Sequence, residues 1–154
     1  HRPIIGMTPQ RMADFEKRLL EKCDEQCQSV YTWNILPNHY HVVVQTDDVK
    51  ALLFALGRLH GRTSYDWNGE ESRRGRKVWF NATETAMKSE RHFWVTVVYV
   101  LNNAVRHGYV KRWQDWPYCN AVEFLETHGR DDVEKKWSEY PLLDYGKEWD
   151  PPDL

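Results

Sequence analysis

Four side chains in this sequence have the types and spacing to act on a charged group: His39 and His41, two positions apart, and Tyr99 and Asn103, four apart. The run Asn38-His39-Tyr40-His41-Val42-Val43-Val44-Gln45 is rich in β-branched residues and reads as a strand, in which alternate side chains share a face. His39, His41 and Val43 therefore point one way, and Tyr40, Val42 and Val44 the other. Two imidazoles on one face are half of a metal site; equally, a histidine pair in a strand is ordinary core or surface filler. Tyr99 and Asn103 fall one turn apart on a predicted helix and lie over the same patch of its surface. A mid-helix tyrosine is ordinarily a core residue with its hydroxyl tied off, and a mid-helix asparagine is ordinarily exposed. Beside a His-x-His strand the two acquire a further meaning.

A divalent ion held by neutral imidazoles and an amide oxygen keeps its full positive charge, which suits an anionic phosphodiester. A tyrosine hydroxyl beside it is a nucleophile that attacks phosphorus in line, displaces a 3′-OH and leaves the protein joined to the 5′ phosphate. A phosphotyrosine diester conserves bond energy, so the step can run backwards to rejoin strands. No phosphate-binding glycine motif of the P-loop kind is present, and the chemistry needs no ATP.

These residues have to be positioned by the rest of the chain. Thr8-Pro9 is a helix start, and Met12, Phe15, Leu19 and Leu20 recur at helical spacing, predicting a helix from about residue 9 to 27. Ser29 to Leu36 reads as a strand that Pro37-Asn38 turns into the histidine strand, an antiparallel hairpin. Asp47-Asp48 caps a second helix with Leu52, Leu53, Leu56 and Leu59 as its stripe. Arg58 and Arg62 lie in its second half, and the loop Ser72-Arg73-Arg74-Gly75-Arg76-Lys77 follows, leading into the strand-like Val78-Trp79-Phe80. Cations track phosphates and aromatics stack on bases, so Arg58, Arg62, Arg73, Arg74, Arg76 and Lys77 are the candidate DNA contacts; the competing explanation is a solvated face and loop. Ser89-Glu90 opens the helix that carries Tyr99, with Gly108 at its end. An aromatic turn at Trp113, Trp116, Pro117 and Tyr118, short helices at 119–128 and 130–138, and an irregular acidic tail complete the chain.

At 154 residues the chain fits one domain with a sizeable core. Three cysteines form no disulfide framework, and Cys23 and Cys27, one helical turn apart, have no further ligand at zinc spacing nearby. No signal-peptide pattern or membrane-length apolar run occurs, so a soluble, cytoplasmic protein is expected. The net charge of −2 discourages a nucleic-acid partner, but its distribution does not. Residues 1–112 carry 17 basic against 12 acidic side chains, and residues 113–154 carry 4 against 11. A basic body with an acidic tail fits DNA binding, with the tail expected to fold back over the cleft and compete with DNA.

Asn38-His39-Tyr40-His41 resembles the HUH signature (His, bulky hydrophobic, His) of single-strand DNA endonucleases. Tyr99-Val100-Leu101-Asn102-Asn103-Ala104-Val105-Arg106-His107-Gly108-Tyr109-Val110 resembles the Y-x-x-x-N-P-V-x-x-G-L-V helix of the REP-associated tyrosine transposases, with Ala104 for proline and Tyr109 for leucine. The resemblance extends over most of the chain. It implies a single α+β domain over 1–154 with a ferredoxin-like antiparallel sheet, the HUH endonuclease fold, and a first strand that would precede His1. It implies Tyr99 as nucleophile, His39, His41 and Asn103 as ligands to Mg²⁺ or Mn²⁺, and cleavage and rejoining of single-stranded DNA beside hairpins, as a monomer or a homodimer. Two other readings compete: a catalytically silent hairpin-DNA-binding protein derived from a transposase, and a metal hydrolase that uses water and needs a nearby carboxylate.

Overall fold

The computed structural model describes residues 4–80 and 82–150, so the last residues of the acidic tail, 151–154, lie outside it. Within it the chain is α+β, with a two-stranded antiparallel sheet and five α-helices. Helix α1 (Pro9–Gln26) starts at Thr8, whose hydroxyl accepts from Arg11 N–H at 3.1 Å. Helix α2 (Val49–Glu70) starts at Asp48, which accepts from Ala51 N–H at 2.9 Å, and α3 (Glu90–Arg106) at Ser89, which accepts from His92 N–H at 3.1 Å. Each cap satisfies an amide that the first helical turn leaves without an intrahelical partner. Gly108, at φ +73°, follows the end of α3 in the left-handed conformation expected there. Helices α4 (Ala121–His128) and α5 (Arg130–Glu139) come close to their predicted ranges.

Strands β1 (Ser29–Ile35) and β2 (Tyr40–Gln45) form the predicted hairpin, which Leu36 N–H closes onto the His39 carbonyl at 2.9 Å. Alternation along β2 divides the molecule into two layers. Tyr40, Val42 and Val44 face α1 and α2, in a core built from Met12, Phe15, Leu19, Leu52, Leu56, Leu59 and Trp67. Val43 faces α3 and packs with Tyr99 and Val100. Across the hairpin Asn34 pairs with His41 and Thr32 with Val43, so both polar β1 residues share that second face, and both are fully buried. Asn34 Nδ2–H donates to the Val100 carbonyl (2.8 Å) and the Thr32 hydroxyl to Asn120 Oδ1 (2.8 Å), whereas Asn34 Oδ1 has no hydrogen-bond partner among the described residues. A third cluster, Val97, Leu101, Ala121, Phe124 and Val133, joins α3 to α4 and α5.

Val78-Trp79-Phe80 forms no strand. Val78 is buried in the first core, and the Trp79 ring stacks on Phe15 (5.1 Å) and on His60 (4.3 Å). This segment is used for its side chains, because nothing among the described residues offers it a backbone ladder. No helix of the described residues is long and apolar enough to cross a membrane.

Candidate metal and phosphoryl-transfer site

The histidines reach the site from the hairpin. His39 stands in the turn and His41 one step into β2, with ring centroids 5.1 Å apart. His39 Nδ1 lies 2.8 Å from Asn38 Oδ1, which places its proton on that nitrogen and leaves the Nε2 lone pair facing Asn103 Oδ1 at 3.3 Å and Asp150 Oδ1 at 3.5 Å. An acceptor facing two oxygens is a cradle for a cation. His41 Nε2 is buried, has no hydrogen-bond partner among the described residues, and points toward Asp150 Oδ2 at 3.5 Å, beyond good hydrogen-bond length. An orphaned ring nitrogen aimed at the same space fits a metal ligand. The ligand atoms of His39, His41 and Asp150 lie within 4.8 Å of one another, and this group can hold a metal ion. Burial, and then the neighbouring His41, lower the His39 pKa to about 4, so the imidazole is neutral and able to ligate near pH 7.

Helix α3 supplies Tyr99 and Asn103. Tyr99 is 1% exposed, its ring edge-on to His41 at 5.5 Å, so the phenol and the histidine pair meet within one chain. Its hydroxyl donates to Asp150 Oδ2, to which Asn103 Nδ2–H also donates at 2.8 Å. Burial first, and then the bonded carboxylate, push the Tyr99 pKa well above the usual phenol range. Burial alone would raise the Asp150 carboxyl too, but His41, Tyr99 and Asn103 around it outweigh that effect and hold it well below the usual carboxylate range.

Asp150 comes from the tail. Residues 142–150 wrap Tyr99: Tyr145 packs edge-on to its ring at 5.4 Å, Trp149 lies 5.0 Å away, and Tyr145 is tied to Thr96 Oγ1 at 2.7 Å. Gly146, at φ +84°, crosses directly over the ring, where any Cβ would overlap Tyr99 Cε2. Arg106 Nη2–H holds the Asp150 carbonyl at 3.1 Å, and His107 Nε2 reaches its other carboxylate oxygen, Oδ1, at 3.1 Å. The tail folds back onto the tyrosine and histidines, and none of the contacts described joins it to the basic residues 58–77 over which its charge predicts it to lie.

His39, His41, Tyr99 and Asn103 are therefore brought together, whereas the basic candidates are not brought to them. The hydroxyl of Tyr40, on the opposite face of β2, meets His60 of α2 at 3.0 Å, so Arg58 and Arg62 belong to the layer across the hairpin. Several of these cations are already engaged. Arg76 binds Glu71 at 2.6 Å and Asn68 at 2.8 Å; Arg62 binds Asp66 at 3.2 Å. Arg74 lies over the Tyr65 ring at 4.2 Å, and Lys77 over Phe80 at 4.7 Å. Arg58 and Arg73 are exposed and make no ion pair among the described residues. Sequence reasoning missed Asp150 and His107; the available signals were Gly146 within an aromatic tail and a histidine one helical turn past Asn103.

No protein-family model matches the chain, and comparison with curated proteins and with solved structures found no match.

Proposed function

We propose that this protein is a single-stranded DNA endonuclease and strand transferase of the HUH type, acting beside hairpins through a 5′-phosphotyrosine intermediate on Tyr99. The observation that carries this reading is the convergence of a buried phenol, an amide and two imidazole nitrogens on one carboxylate, although they come from a hairpin and a distant helix. The ferredoxin-like sheet of such enzymes belongs to the proposal, and the antiparallel β1–β2 hairpin with α3 packed beside it supports that reading. His39, His41 and the Asn103 oxygen would hold Mg²⁺ or Mn²⁺, which supplies Lewis-acid stabilisation of charge on the phosphate oxygens. Tyr99 Oη forms a bond to phosphorus as the P–O3′ bond breaks; the phenol proton passes to water, and the departing 3′-oxygen takes a proton from water. Asp150 occupies the space beside the phenol, so the tail withdraws before DNA enters. Arg58 and Arg73 are the cations best placed to track phosphates outside the site.

A second reading, a hairpin-DNA-binding protein that does not cut, is favoured by the capped and buried state of the Tyr99 hydroxyl. Incubating the full chain with labelled single-stranded hairpin DNA and Mn²⁺ separates the two. A covalent adduct that Tyr99→Phe abolishes, by a thousandfold or more, supports strand transfer. Binding without adduct supports the silent protein. Cleavage that survives Tyr99→Phe makes water the nucleophile, with Asp150 as the carboxylate such a hydrolase requires.

A further inference from the structure

The carboxylate of Asp150 reveals what kind of group the site accepts. It is itself 4% exposed and donors surround it: the Tyr99 hydroxyl and the Asn103 amide on Oδ2, and His107 on Oδ1. Oδ1 has a single close donor, His107 Nε2 at 3.1 Å; His39 Nε2, 3.5 Å away, carries its proton on the far side of its ring. The His107 side chain is 2% exposed. Its position is fixed by the end of α3, where His107 N–H donates to the Asn103 carbonyl at 3.0 Å, and by rings on both sides: His39 at 5.0 Å and Tyr109 at 6.4 Å, the latter stacked on Trp116. Among the described residues His107 is not part of the group whose ligand atoms can meet on one ion, which is His39, His41 and Asp150. A buried ring nitrogen that meets the carboxylate but stands outside that ligand group is an anion contact.

We propose that His107 is an oxyanion-binding residue, whose Nε2–H holds a non-bridging oxygen of the phosphodiester that takes the place of the Asp150 carboxylate. The proposal rests on the phosphoryl-transfer reading of the site and adds a residue, beside His39 at the end of α3, that grips the substrate. Carboxylate and phosphodiester are both compact oxyanions that accept N–H and O–H donors at the same distances, so a cage built for one receives the other. The neutral imidazole suffices, since the donor needs only a proton on Nε2. Arg106, which donates to the Asp150 carbonyl at 3.1 Å and lies 5.8 Å from the Tyr99 ring centroid, adds positive charge beside the site.

The experiment uses the full chain with Asp150→Ala, which vacates the cage, and two probes measured separately: Mn²⁺ by electron paramagnetic resonance and inorganic phosphate by calorimetry, the latter with and without Mn²⁺. His107→Ala in this background is expected to weaken phosphate binding about tenfold, on the order of 1.4 kcal/mol, while leaving Mn²⁺ affinity within about twofold. His107→Gln is expected to recover most of the loss, because its amide N–H replaces Nε2–H, whereas His107→Asn, whose shorter amide mimics Nδ1, is not. Recovery by Gln also shows that the Ala effect is not a folding defect. Phosphate binding that is unchanged in His107→Ala, or absent from Asp150→Ala itself, overturns the proposal. So does a tenfold loss of Mn²⁺ affinity, which would make His107 a metal ligand. If neither the unsubstituted chain nor Asp150→Ala binds Mn²⁺ but Asp150→Ala still binds phosphate through His107, the metal-dependent function fails and the anion contact stands.

Discussion

The two faces of the β1–β2 hairpin are built from neighbouring residues of one strand and do opposite things. Behind Tyr40 lies a layer of interlocked rings: Phe15 is fully buried, edge-on to Tyr40 at 5.3 Å and stacked on Trp79 at 5.1 Å, and the layer's polar ring atoms are satisfied, Tyr40 by His60 at 3.0 Å and Trp79 by Thr63 at 2.9 Å. Behind His39 and His41 lies a layer with an orphaned imidazole nitrogen, an ionised carboxylate and a phenol held far from its working pKa. The rings of the first layer spend their polar atoms on the fold; the second leaves an imidazole nitrogen directed at something that is not protein. Stability and chemistry are thereby placed on alternate side chains, and substitutions should separate them.

The largest effect that tests this division is Phe15→Ala, expected to destabilise the protein by about 3–5 kcal/mol through lost burial and a cavity. Denaturant titration measures it, and Mn²⁺ affinity of the folded protein should not change; if it falls in step, the layers are not independent. The mirror experiment is His41→Ala, expected to lower Mn²⁺ affinity by about a hundredfold or more while destabilising the fold less than Phe15→Ala does, since the nitrogen removed stands 3.5 Å from Asp150 Oδ2 and makes no good hydrogen bond.

A subtler probe is pH. Burial lowers the His60 pKa from 6.5 to about 4, so the folded state favours the neutral ring. That contribution is fully present above pH 6.5 and is lost progressively as pH falls from 6.5 toward 4, where the unfolded chain binds the proton more readily. His60→Gln should flatten this part of the stability–pH curve without altering Mn²⁺ binding at pH 7.5; an unchanged curve would place the acid sensitivity elsewhere. The smallest effect is expected at Arg58→Ala, which should reduce the slope of log affinity for hairpin DNA against log salt by about 1 and leave the yield of adduct per bound DNA unaltered.

Much of this arrangement is written in local patterns. Period-two alternation suffices to put His39 and His41 on one face and Tyr40 on the other, and helical spacing suffices to pair Tyr99 with Asn103. Thr8, Asp48 and Ser89 announce their helices because each is a side-chain acceptor ahead of an apolar stripe. What remained hidden depends on chain segments meeting without periodicity. Asp150 arrives through irregular turns 51 residues after Tyr99, and nothing in its own neighbours marks it as a partner of the phenol. Val78-Trp79-Phe80 has the composition of a strand, but composition cannot supply a second edge. Arg76 looks like a free cation in the sequence and is consumed by Glu71, which also binds Arg11 at 2.7 Å.

Asn34 ties the two halves of the site to each other. It sits opposite His41 in the hairpin, and its amide grips the carbonyl of Val100, the residue after Tyr99. A helix turns about 100° per residue, so a modest roll of α3 about its own axis would swing the phenol out of line with the imidazoles. One side-chain amide thus sets the rotational phase of the nucleophile against the strand that carries the ligands, and alignment at this centre becomes a property of a single buried contact more than 60 residues long in sequence.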